Sequence, residues 1–254
     1  MKKLLLEAEI IENSVVIPQV RRMQLRAPEI AAIVQPGQFV QVRKKESTVF
    51  LRRPFSIADA NTEKGTICIM YRVVGKGSAE MAAMNPGERI SVEGPLGTGF
   101  SLGEGRPLFV GGGVGIAPLI FLTKRLQQKK PIVLIGGKNK EETFWTKYLE
   151  EYADKIYITT DDGSVGQKGF TIQAIPDLLE NNSIDRIAVC GPMIMMKGIA
   201  EMAVRYKKEC EVSMEKRMAC GIGVCLGCTF EGKLTGKRRK VCSDGPVFPA
   251  REVF

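Results

Sequence analysis

The chain has no histidine among its 254 residues, and this absence excludes more chemistry than any other feature of its composition. Without imidazole there is no Ser-His or Cys-His nucleophile pair, no His-containing zinc site and no His-ligated iron–sulfur centre. Any metal must rest on Cys, Asp or Glu. Aromatic residues are sparse, at 7% with a single tryptophan, and the basic residues behind the net charge of +9 are spread along the chain with few rings among them. That pattern argues for solvated faces and a docking surface rather than a nucleic-acid site. Long apolar runs are missing too. The longest uncharged stretch, Pro107 to Thr123, has 17 residues but holds four glycines and two prolines, so it reads as strand, loop and helix rather than a membrane span. The opening MKKLLLEAEII places only three leucines before Glu7 and Glu9, too few for a secretory signal. A disulfide framework is also lacking: of seven cysteines, Cys68, Cys190 and Cys210 are scattered and four cluster near the end. A reduced, cytoplasmic protein is expected.

What is present falls into three stretches. Residues 1–102 read as β structure: Ser14–Val20, Gln38–Val42, Thr66–Val74 and Arg89–Val92 are rich in β-branched and aromatic residues, and Gly/Pro/Asn turns separate them. Short strands at this spacing predict a small antiparallel barrel, with a short helix over Ser78–Met84. Residues 103–209 alternate apolar runs with amphipathic stretches. Strands fit Pro107–Val110, Ile132–Ile135, Ile156–Thr160 and Ile187–Cys190; helices fit Ala117–Gln128, Glu141–Tyr152, Thr171–Glu180 and Met193–Lys208. This is a doubly wound parallel α/β sheet. From Cys210 to Phe254 the periodicity fades, and so small a segment needs a metal or cluster to supply its folding free energy.

Cys220, Cys225, Cys228 and Cys242 have the spacing C-x4-C-x2-C-x13-C. The first three match the run of plant-type 2Fe–2S proteins. A structural zinc site is the competitor, although such sites more often use two C-x2–4-C pairs. Lys237-Arg238-Arg239-Lys240, just before Cys242, can stabilise an anionic cluster or steer a partner. Gly111-Gly112-Gly113-Val114-Gly115-Ile116-Ala117-Pro118 follows the first α/β strand and opens a helix, which suits a phosphate at the helix N-terminus. Gly111, Gly112, Gly113 and Gly115 are therefore candidate nicotinamide-cofactor contacts; Pro replaces the third Gly of the full dinucleotide fingerprint, and a glycine turn used only for packing is the alternative. Asp161, after the third strand, can hold a ribose hydroxyl and would repel a 2′-phosphate, which favours NAD over NADP; an ordinary turn is the alternative. Cys190, before Gly191-Pro192, ends a strand where it can approach a nicotinamide or simply be a small buried residue. Arg53-Pro54-Phe55-Ser56, after a strand-like segment, offers a guanidinium for a pyrophosphate and a hydroxyl for a flavin ring, although a surface Arg before a Pro turn is the commoner reading of such a run.

These motifs, in this order, resemble the ferredoxin reductase superfamily: a flavin barrel, a nicotinamide domain and an appended 2Fe–2S module. Within it the chain is similar to the electron-transfer subunits of class 1B dihydroorotate dehydrogenases. Leu51–Ile57, Gly94–Phe100, Met218–Gly223 and Val241–Phe248 carry that likeness. The resemblance implies FAD bound by Arg53, Pro54, Phe55 and Ser56, completed by Met70, Tyr71, Arg72, Gly77 and Ser78, with the four clustered cysteines ligating a 2Fe–2S cluster and NAD as substrate. It further implies an FMN-containing catalytic partner, in a heterotetramer of two copies of each subunit, with no nucleic-acid or membrane partner. Flavin and iron–sulfur reductase subunits of hydrogenase, sulfide dehydrogenase or oxygenase systems are the nearest alternative. A zinc-stabilised nucleotide-binding module without redox function is the distant one.

Overall fold

The computed structural model describes residues 3–254, which divide into two compact units. The first runs to Gly99 and includes Glu215–Phe230 and Arg239–Pro246. Its strands β1 (Leu4–Ile17), β2 (Val20–Arg26), β3 (Phe39–Arg43), β4 (Arg53–Asn61), β5 (Thr66–Arg72) and β6 (Arg89–Leu96) close into an antiparallel barrel in the order β1-β2-β5-β4-β3-β6. Alternate residues fill it, as the two-residue period of a strand requires: Ala8 and Ile10, Met23 and Leu25, Val40 and Val42, Ile67 and Ile69, Ile90 and Val92 are all buried.

The expected strand over Ser14–Val20 is divided: Ser14–Ile17 end β1, Val20 opens β2, and Pro18-Gln19 form the turn between them. Pro18 has no N–H for the ladder and Gln19 takes a left-handed φ of 65°. The Arg53 motif, expected after a strand, begins β4 itself. Helix α1 (Pro28–Ala31) caps one barrel end, and α2 (Lys76–Ala82) lies two residues earlier than expected. Ser78 explains its start: its Oγ accepts from the N–H groups of Val74 and Gly75, at 3.0 and 3.1 Å.

The second unit comprises Phe100–Met214, Glu231–Arg238 and Val247–Phe254. Strands β7 (Pro107–Gly112), β8 (Ile132–Gly137), β9 (Lys155–Thr160), β10 (Gln167–Lys168), β11 (Arg186–Cys190) and β12 (Glu209–Ser213) run parallel. After them β13 (Thr229–Glu231) and β14 (Arg238–Lys240) form a separate ribbon, and β15 (Val247–Pro249) adds to β12 antiparallel. The sheet order is β10-β9-β8-β7-β11-β12-β15. Helices α3 (Ala117–Arg125), α4 (Thr171–Asn181) and α5 (Met193–Arg205) connect the strands, and α6 (Ala250–Val253) follows β15. The order in which strands are added reverses between β7 and β11, and ligands of doubly wound sheets bind at this switch point.

Two local expectations differ. The helix expected over Glu141–Tyr152 is a tighter 3₁₀ helix over Lys140–Tyr148, where Thr143, Phe144, Trp145 and Thr146 are all weak α-formers. The stretch after Cys210, expected to lie outside the sheet, supplies β12 and β15. The sequence Glu-Cys-Glu-Val-Ser has little apolar signal of its own, and pairing with β11 overrides it. Among the described residues no helix is long and apolar enough to cross a membrane.

Candidate functional site

In the barrel unit, the register sets Arg53, Pro54, Phe55 and Ser56 opposite Val42, Gln41, Val40 and Phe39. Opposed residues share a face, so Pro54 and Ser56 lie on the face of Gln41 and Phe39. The Arg53 guanidinium donates to the carbonyls of Arg52 and Leu51, at 3.0 and 3.1 Å. Its stem runs along Gly77, where a β-carbon would come within 3.2 Å of Arg53 Cδ. Phe55 packs against Tyr71 with ring centroids 5.3 Å apart. Tyr71 donates to Asn13 Oδ1 at 3.1 Å, while the Asn13 amide donates to the carbonyls of Met81 and Met84 and so ties the end of α2 to β1. Burial pushes the Tyr71 phenol up to about 12, so it stays neutral. Met70 and Arg72 flank Tyr71 on β5. Arg53, Phe55, Tyr71 and Gly77 are thus brought together. The Ser78 hydroxyl, expected to help hold FAD, is committed to the backbone before its own helix.

The cysteine loop belongs to the same unit. Cys228 and Cys242 are each 2% exposed, Cys220 is half-buried and Cys225 is exposed. Backbone N–H groups point at the sulfurs: Cys225 N–H to Cys220 Sγ at 3.3 Å, Gly227 N–H to Cys225 Sγ at 3.5 Å, and Cys242 N–H to Cys228 Sγ at 3.4 Å. Left-handed backbone at Gly221, Gly223 and Leu226 produces this wrapping. At Cys220 burial opposes ionisation, but the N–H groups of Cys225, Ile222 and Val224 outweigh it and bring the thiol down to about 6. At Cys242 burial, reinforced by the Cys228 thiol, pushes the pKa up to about 12. The Cys220 thiol interacts with Cys225, and the Cys242 thiol with both Cys228 and Cys220. Among the described residues no three His, Cys, Asp or Glu side chains converge on one ion. Four cysteine thiols linked in this way, with backbone N–H groups turned toward them, suit a 2Fe–2S cluster, which takes four thiolates. Of the basic run, Lys240 reaches the loop, its ammonium 3.7 Å from where a Gly223 β-carbon would sit; Lys237 and Arg238 are exposed.

In the α/β unit the glycine loop and Cys190 meet at the switch point. Cys190 is level with Gly111 in the sheet. A β-carbon on Gly115 would lie 2.7 Å from the Cys190 carbonyl and the Gly191 Cα, and one on Gly191 would lie 3.0 Å from the Gly112 nitrogen. Gly113 has a φ of +57° and open space around it. Asp161 lies at the same carboxyl edge, its N–H donating to the Gly137 carbonyl at 3.1 Å. Its side chain is exposed, because neighbouring Asp162 supplies the turn and accepts from Ser164. A cavity of about 460 Å³ beside α4, lined by Ile158, Gly166 and Leu178 among others, includes none of these residues.

Comparison with known proteins gives three domains along the chain. Residues 7–100 match the oxidoreductase FAD-binding domain, 109–201 the oxidoreductase NAD-binding domain, and 215–254 the iron–sulfur cluster binding domain of dihydroorotate dehydrogenase B. The electron transfer subunit of dihydroorotate dehydrogenase B (NAD(+)) from Desulforamulus reducens is 37% identical, with 97% of each chain covered. That from Caldanaerobacter subterraneus subsp. tengcongensis is 39% identical over 86% of this chain and 87% of its own. The chain belongs to this family of electron-transfer subunits. A solved chain of the NADH-dependent reduced ferredoxin–NADP oxidoreductase, studied for flavin-based electron bifurcation, superposes with a TM-score of 0.87 at 31% identity, covering 97% of this chain and 89% of its own. A ferredoxin reductase of carbazole 1,9a-dioxygenase, at 20% identity and a TM-score of 0.70 over 82% of this chain and 67% of its own, shares the fold. Family members of this kind are oxidoreductases built on FAD, NAD and an iron–sulfur cluster, and this chain carries all three domains.

One residue of the barrel face had no sequence signal. Gln41 is fully buried against the cysteine loop: a β-carbon on Gly221 would come within 2.3 Å of its Nε2. In the run Val40-Gln41-Val42-Arg43 the alternation makes Gln41 and Arg43 read as solvent-facing.

Proposed function

We propose that this chain carries electrons between NAD and the FMN of a dihydroorotate-oxidising partner subunit, in a cytoplasmic assembly of two copies of each that serves pyrimidine synthesis. The observation that carries the reading is the placement of the cysteine loop on the barrel face shared by Gln41, Pro54 and Ser56, which sets the candidate flavin and cluster residues in one compact unit.

FAD supplies the conversion between hydride transfer and single electrons that a nicotinamide cannot make with a cluster. The chain's residues do the rest. Arg53 holds the pyrophosphate of FAD, with Gly77 leaving room for its stem, and Ser56 bonds the ring. Cys220, Cys225, Cys228 and Cys242 hold the 2Fe–2S cluster. The loop Gly111 to Gly115 would present backbone N–H groups to the NAD pyrophosphate, Asp161 would take the ribose hydroxyls, and Cys190, at the end of β11, would approach the nicotinamide. The exposed Cys220/Cys225 side of the loop is also apolar, with Val224 at 74% and Leu226 at 49% exposure, as a partner-facing surface should be. All seven cysteines are unbridged, in keeping with a reducing compartment.

The test is purification of the native complex with assay of FAD, FMN, iron and sulfide. A catalytic subunit with FMN is expected, along with NADH oxidation by this chain alone using an artificial acceptor and no dihydroorotate oxidation without the partner. The likeness to the bifurcating oxidoreductase favours a second reading, a subunit of a ferredoxin–NADP oxidoreductase. Recovery of that partner in place of an FMN subunit would replace the first reading by the second.

A further inference from the structure

Gln41 sits mid-strand in β3 with no exposed surface, and neither its Nε2 nor its Oε1 has a hydrogen-bond partner. Burying an amide unpaired is costly, and such a group in a well-packed barrel calls for a missing partner. Its surroundings narrow what that partner is. Across the sheet stands Pro54, which has no N–H to offer, and on the other side Glu93. Over it lies Gly221, the residue after Cys220. A β-carbon there would sit 2.3 Å from Nε2 and 2.6 Å from Cδ, so the amide packs directly against the loop that bends around the sulfurs. Gly221 also needs its φ of +68°, so this position suits glycine twice over.

We propose that the Gln41 amide donates a hydrogen bond to the 2Fe–2S cluster on its Cys220 side, as a positioning residue that sets how readily the cluster accepts an electron. This rests on the electron-transfer reading above, since it needs the cluster. Reduction adds negative charge to the sulfurs, and an N–H donor stabilises the reduced form more than the oxidised one, which raises the potential. The strand that carries Gln41 is the one paired with the flavin motif, so one element spans both redox sites.

The experiment is an EPR-monitored redox titration of the native complex carrying Gln41→Met, which keeps the volume and removes the donor. The expected result is a cluster about tenfold harder to reduce relative to FAD, about 59 mV for a one-electron couple, with the flavin potential unmoved. Pulsed EPR in H₂O and D₂O should show one exchangeable proton lost from the cluster's surroundings. An unchanged cluster potential and unchanged proton coupling, with iron and sulfide at wild-type levels, would overturn the proposal, as would a shift confined to the flavin. If Gln41→Met fails to retain the cluster, Gln41→Leu removes the donor with a different shape; it should lower the potential likewise, and an unchanged value would overturn the proposal equally. A wild-type complex without any 2Fe–2S signal would instead overturn the electron-transfer reading itself.

Discussion

The loop from Gly111 to Pro118 and the loop from Cys220 to Cys228 are both rich in glycine, yet an added methyl group would meet different obstacles in each. At Gly115 it would strike the main chain of Cys190 and Gly191 at 2.7 Å, and at Gly111 it would strike Ile116 at 2.4 Å. At Gly221 the obstacle is the far end of one side chain, Gln41, and at Gly227 nothing is closer than 3.6 Å. At Gly115 the first loop is backbone packed on backbone, which holds its N–H groups in place at the switch point. The second is a conformational device: its glycines allow φ values that aim N–H groups inward at side-chain sulfurs. One site is built by the fold around it, and the other is completed by what it binds.

The contrast can be broken at several points. Gly115→Ala is expected to have the largest effect. Neither backbone can yield, so a loss of about 3 kcal/mol should appear as a lowered unfolding midpoint for the α/β unit, with NADH-dependent reduction abolished while FAD stays bound to the barrel. Cys228→Ser comes next: it removes a buried ligand of the inner pair, and iron and sulfide should fall well below wild type with the flavin retained. Gly221→Ala combines a left-handed φ, costing about 1 kcal/mol, with displacement of Gln41, and should show as partial loss of iron with little change in NADH-to-FAD rate. Cys225→Ser alters the exposed pair. In a folded variant it should sever transfer to the partner while stopped-flow reduction of FAD by NADH proceeds; loss of FAD reduction would count against FAD preceding the cluster. Gly113→Ala, in open space but at a φ of +57°, should be the mildest, with a cost of about 1 kcal/mol seen as a modest rise in KM for NADH.

The two loops also differ in how legible they are. Buried parallel strands read as continuous apolar runs, so β7, β8, β9 and β11 stand out in the sequence, and the glycine loop is located by the strand before it. The cysteines are legible for another reason: ligands are side chains, and their spacing survives any uncertainty about the backbone. What is illegible depends on partners far away in the chain. Gln41 takes its meaning from Gly221, and β12 from pairing with β11. The Ser78 hydroxyl reads as a ligand group until the turn at Val74 and Gly75 is seen to claim it. The Pro18-Gln19 turn is hidden inside a β-branched run whose residues belong to two different strands.

The central claim is that electrons entering from NADH leave through the cluster. Anaerobic addition of NADH to the purified native complex, followed by EPR, tests it most directly. The account predicts a reduced 2Fe–2S signal that forms after the flavin bleaches, and whose loss in Cys225→Ser leaves the bleaching intact. A colourless, zinc-containing protein, or a flavin that NADH reduces with no cluster signal following, would contradict it.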